Sequence, residues 1–67
     1  MENLKNKIKE LRLEQNLTQV QMANKIGFAQ STIAQWENGI KLPSLEAVVI
    51  LAKFFNCTTD YLLGLED

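Results

Sequence analysis

The sequence predicts an all-α fold, a compact bundle of five short helices, and three observations carry that prediction. Apolar residues recur near the 3.6-residue period in successive blocks, each of helical length. No stretch alternates at period two for long enough to make a strand. Helix openers and stoppers fall between the blocks: Thr18, Ser44 and Thr58 can cap N-termini, and Gly27, Gly39 and Gly64 can close C-termini. At 67 residues the chain has room for one domain. A domain of this size buries only roughly 60% of the surface its unfolded chain exposes, so the helices must pack closely.

The first helix is expected over residues 3–15. Leu4, Ile8 and Leu11, with Leu13, supply its apolar stripe, and Lys5, Lys7, Lys9 and Glu10 fall on the solvated side. Asn3 is its N-cap and Asn16 ends it. Thr18 opens the second helix. Thr18 and Gln21 match a capping box, in which a cap hydroxyl and a side-chain amide three residues later satisfy each other's backbone N–H. Met22, Ala23 and Ile26 face the core, Val20 lies off that stripe, and Gly27 stops the helix. Phe28 is expected to insert into the core.

The third helix occupies about residues 30–37, with Ile33 and Trp36 inward and Gln30, Ser31, Ala34 and Gln35 outward. Asn38 and Gly39 close it, and Ile40 to Pro43 form a loop because proline disfavours helix in the residue before it. Ser44 caps the fourth helix, where Glu46 suits the positive end of the dipole. Leu45, Val48, Val49, Leu51, Ala52 and Phe55 make a wide apolar face that Ile50 and Phe54 extend almost all round. Such a helix is central to the core or covered on one side by a partner. Asn56 can take the left-handed conformation, Thr58 caps a last helix over residues 59–63, and Gly64 ends it.

Composition narrows the function. The chain is 46% hydrophobic and 22% charged, which is globular rather than disordered. One cysteine, Cys57, makes no internal disulfide and reads as a small buried hydrophobe; with no histidine, the usual ligands of a zinc site are missing. The same absence removes histidine-based acid–base chemistry and the Ser–His and Cys–His nucleophile pairs. With no catalytic constellation and no cofactor motif, the chain does not read as an enzyme and calls for no cofactor or metal; no small-molecule ligand is evident. No apolar run approaches the ~18 residues of a membrane span, and the N-terminus has no signal core, so a cytoplasmic location is expected. The net charge of −1 argues against a polybasic nucleic-acid coat.

The stretch from Thr18 to Gly39 carries the functional signal. Two helices of about eight residues joined by a short glycine-containing turn are the pattern of a DNA-binding helix-turn-helix. Many small helical domains hold a similar hairpin, so the pattern by itself leaves DNA reading and a plain structural hairpin both open. On the second reading Gln30, Ser31 and Gln35 are simply a solvated helix face.

The residues go further. Leu17-Thr18-Gln19, Ala23, Gly27, Ser31-Thr32-Ile33, Trp36-Glu37-Asn38-Gly39, Pro43-Ser44, Leu51-Ala52-Lys53 and Leu62-Leu63 together resemble the Cro and phage-repressor type of helix-turn-helix domain, also called the xenobiotic-response-element type. The resemblance covers nearly the whole chain. It implies a five-helix, lambda-repressor-like bundle over residues 1–67, with the helix-turn-helix at about 19–38, and a transcriptional regulator that binds double-stranded DNA.

The resemblance also implies roles. Gln30 is similar to the family's leading base reader; a glutamine can bond adenine N6 and N7 together in the major groove. Ser31 and Gln35 take further groove-facing positions, and Thr32 can reach phosphate or a thymine methyl. Gln19 looks like the family glutamine that contacts phosphate and braces the recognition helix. Thr18 supports it from the cap, and Asn38 and Lys41 would hold phosphates and set register. Arg12 and Glu37 match a charged pair that ties the first helix to the third in some relatives; the other reading is two separate surface charges.

Three features depart from the family's habit. Ala29 stands where a Ser or Thr cap is common, which forgoes ~1 kcal/mol. Ile40 and Leu42 replace loop cations. From Thr18 to Pro43 the charges are Lys25, Glu37 and Lys41, a net of +1, so phosphate neutralisation should be weak.

A single recognition helix reads few base pairs. A homodimer on a pseudo-palindromic operator, with half-sites ~34 Å apart, is therefore expected, acting most simply as a repressor. The apolar face of the fourth helix places the dimer surface at Tyr61, Leu62 and Leu65 with part of that helix. The rival reading is a protein-interaction module, such as an antitoxin or anti-repressor component, whose helix pair docks on protein instead.

Overall fold

The computed structural model describes residues 2–66. It contains α1 (Glu2–Glu14), α2 (Gln19–Ile26), α3 (Gln30–Glu37), α4 (Leu45–Phe54) and α5 (Thr59–Leu62), and no strand among the described residues. Its Cα radius of gyration is 10.6 Å, close to the about 11 Å expected of a compact chain of this length.

Local chemistry sets most boundaries. Thr18 Oγ1 accepts from the Gln21 N–H (3.1 Å) and the Thr18 N–H donates to Gln21 Oε1 (2.9 Å), the complete capping box. Ser44 and Thr58 cap α4 and α5 through the N–H groups of Ala47 and Tyr61. Asn16 and Asn56 take left-handed backbones (φ 57° and 55°), reversing the chain after α1 and α4. Asn3 lies inside α1 rather than ahead of it, so it is not the cap; its side chain is outside the described residues.

Each helix sends one completely buried side chain to a common centre: Ile8, Met22, Ile33, Leu51 and Leu62. Phe28 and Trp36 close one side of the core with rings edge to face at 5.0 Å. The α2–α3 pair therefore rests on a platform made by α1, α4 and α5, and α3 packs on both α1 and α2. No helix among the described residues is long and apolar enough to cross a membrane.

Four expectations need correction. Leu13 is 53% exposed and not part of the α1 stripe, because it sits one position off the line through Ile8 and Arg12. The apolar face of α4 is not covered all round: Leu45 is 81% exposed and Val49 39%, so no neighbour lies over the first turn. Leu62 is fully buried within its own chain and cannot form part of a dimer surface. Lys5 and Lys7 are half-buried instead of fully solvated. The Lys7 ammonium lies 4.1 Å from the centre of the Tyr61 ring. Cys57 is half-buried against the core instead of inside it.

Candidate nucleic-acid interface

The turn between α2 and α3 is built on Gly27. Its φ of 78° is left-handed, and its N–H and that of Phe28 both donate to the Ala23 carbonyl, which ends α2 abruptly. Phe28 folds back onto Trp36, and α3 starts at Gln30 with no side-chain cap from Ala29. Gln30 and Ser31 are exposed in the first turn of α3, and Thr32 and Gln35 are half-buried further along. The N–H groups of Ile40 and Lys41 both donate to the Gln35 carbonyl, folding the loop against the end of α3. Asn38 and Lys41 are exposed there.

Behind this face lies a buried charged pair. Arg12 Nε donates to Glu37 Oε2 (2.7 Å) and Arg12 Nη2 to Glu37 Oε1 (2.9 Å), with Arg12 and Glu37 only 7% and 8% exposed. Two parallel bonds match the fork of the guanidinium to the carboxylate. Arg12 Nη1 donates to the Leu17 carbonyl (2.7 Å), so one side chain fixes α1, the loop before α2 and the end of α3. The hydrogen bonds to Glu37 raise the Arg12 pKa against the opposing effect of burial.

The network continues outward to the exposed face. Gln19 Nε2 donates to Glu37 Oε1 (3.1 Å), and Gln30 Nε2 donates to Gln19 Oε1 (2.7 Å). The expected tie between Arg12 and Glu37 is thus one end of a four-residue chain that reaches Gln30. The links through Gln19 were not legible in the sequence beyond its expected bracing role, because they join residues 18 and 11 positions apart on different helices. Lys5 was also missed: a Cβ placed on Gly39 would lie 3.1 Å from Lys5 Cδ, so the lysine stem lies across the end of α3. Thr18, by contrast, spends its hydroxyl on the cap of α2.

The sequence profile of the helix-turn-helix family matches residues 8–62. The chain belongs to that family. Helix-turn-helix proteins similar to it include YobD of Bacillus subtilis, an uncharacterised transcriptional regulator, 41% identical over 91% of this chain and 54% of its own length. The transcriptional activator BcrR of Enterococcus faecalis is 38% identical over 91% of this chain and 30% of its own. The cryptic phage CTXphi transcriptional repressor RstR of Vibrio cholerae is 45% identical over 73% and 44%. The chain therefore spans about half or less of the length of these relatives. No solved structure gives a significant match. Helix-turn-helix membership makes this a chain of the DNA-binding transcriptional regulators rather than an enzyme.

Proposed function

We propose that this chain binds double-stranded DNA sequence-specifically through α3 and acts as a repressor, as a homodimer on a pseudo-palindromic operator. The observation that carries the reading is Gln30: an exposed amide at the start of α3, held by Gln19, which is itself anchored on a buried ion pair. A surface glutamine that merely solvates a helix has no need of such an anchor. Holding it in one pose lowers the side-chain entropy lost on binding, roughly 0.5–1.5 kcal/mol per immobilised side chain. In this reading Gln30, Ser31 and Gln35 face base edges, while Gln19, Thr32, Asn38 and Lys41 position the backbone.

Repression needs only occupancy of the groove, which supports the choice over activation. The dimer surface is proposed among the exposed apolar side chains Leu45, Val49 and Leu65, with half-buried Tyr61. The test is binding of wild-type and Gln30→Ala protein to a duplex selected from a random pool and to scrambled DNA. Gln30→Ala is expected to cost ~1–3 kcal/mol on the selected site and little on scrambled DNA. Equal losses on both would remove Gln30 from base reading.

A further inference from the structure

We infer that Glu37, though buried and out of reach of DNA, sets which base Gln30 prefers, by fixing the direction of the amide chain between them; the inference rests on Gln30 as a base reader. An ionised carboxylate has only acceptors. Glu37 Oε2 takes the Arg12 Nε proton, and Oε1 takes one from Arg12 Nη2 and one from Gln19. The Gln19 group that faces Glu37 must therefore be its NH2. An amide carries its oxygen opposite its nitrogen, so Gln19 turns Oε1 toward Gln30. That oxygen can only accept, so Gln30 must answer with its own NH2, at 2.7 Å. No freedom of amide orientation remains along the chain.

The consequence lies at the exposed end. One of the two Gln30 N–H bonds is used on Gln19. What Gln30 has left is one N–H donor and its Oε1 acceptor. Adenine presents an acceptor and a donor side by side in the major groove, N7 and N6–H, whereas guanine presents two acceptors, N7 and O6. A donor beside an acceptor suits adenine and sets an oxygen against guanine O6. If Gln19 were reversed, Gln30 would turn its oxygen inward and offer both N–H bonds to the groove, which suits guanine. Glu37 is thus a positioning residue for specificity, acting through Gln19.

The test uses the full chain and the duplex that wild-type protein selects, with adenine or guanine at the position where Gln30→Ala alone loses discrimination. The wild type should favour adenine on the order of 10-fold or more. Gln19→Met removes the amide at similar volume and leaves the Arg12–Glu37 pair intact, so it keeps the fold. Glu37→Gln replaces the fixed acceptor by a group that either donates or accepts. Both should reduce the preference to below about 3-fold, while binding to scrambled DNA changes equally for the two duplexes. In heteronuclear NMR the Gln30 side-chain NH2 resonances of free protein should move to solvated values in Gln19→Met. Retention of the wild-type preference in Gln19→Met, with Gln30→Ala losing it, overturns the inference and leaves base reading by Gln30 intact. Should Gln30→Ala change no position selectively, base reading by Gln30 and the inference fail together.

Discussion

Arg12→Met should come close to unfolding the protein. The substitution preserves the apolar stem and removes the charge. It leaves the Glu37 carboxylate 8% exposed with one remaining donor, Gln19, and strips the Leu17 carbonyl of its partner. Two unit charges about 4 Å apart interact by about 4 kcal/mol at an effective dielectric of 20, and removing one partner of a buried pair typically costs about 3–5 kcal/mol. A chain of this length has a total stability of about 3–10 kcal/mol, so the loss takes a third or more of it. Urea unfolding followed by far-UV circular dichroism reads this directly. At a slope of about 1–2 kcal/mol/M the midpoint should fall by about 2 M or more. The double variant Arg12→Met with Glu37→Met should recover most of the loss, because it removes the orphaned charge along with the pair. A single-variant cost below about 1 kcal/mol, the value of an exposed pair, would refute this reasoning. The raised Arg12 pKa lies above the ordinary 12.5, so its contribution is complete at all lower pH and the cost should be flat across the physiological range.

Three further outcomes follow from the same residues. Ala29→Ser supplies the missing cap of α3 and should raise stability by about 0.5–1 kcal/mol, seen as a rise of several degrees in melting temperature; no change would mean that the first turn is already satisfied. Burial, with Glu66 adding to it, pushes the Cys57 thiol above its ordinary 9.0. The folded thiol holds its proton more tightly, so that contribution is complete below the unfolded thiol's pKa, about 8.5, and is lost as pH rises through the folded value; a Cys57→Ala variant should lose less stability than the parent above that range. DNA affinity should fall only modestly with salt, since residues 18–43 carry a net charge of +1; a slope equivalent to about six or more released ions per monomer would show that cations elsewhere neutralise the phosphates.

Most helix boundaries were legible because they are local. The capping box at Thr18 and Gln21, the caps at Ser44 and Thr58, and the left-handed stops at Gly27 and Asn56 depend on residues within a few positions of one another. Which apolar side chains reach the centre was less legible. In the Leu62–Leu63 pair, periodicity over a four-residue helix cannot say which leucine turns inward, and the structure buries Leu62. In α4 the apolar period continues through Leu45, although no neighbour covers that turn. Lys7 over Tyr61 joins two ends of the chain that no local pattern connects. At the candidate interface the exposed face of α3 was readable as a row of small polar residues. The buried wiring behind it was not, because hydrogen bonds from Glu37 to Gln19 and from Gln19 to Gln30 exist only once α2 and α3 are docked.

Selection of bound duplexes from a random pool by the wild-type chain tests the central claim most directly. The account predicts enrichment of a pseudo-palindromic site with half-sites about 34 Å apart, and within each half-site a base-pair preference that Gln30→Ala alone erases. A pool that stays unenriched, or a site whose preferences are untouched by substitutions at Gln30, Ser31 and Gln35, would contradict it.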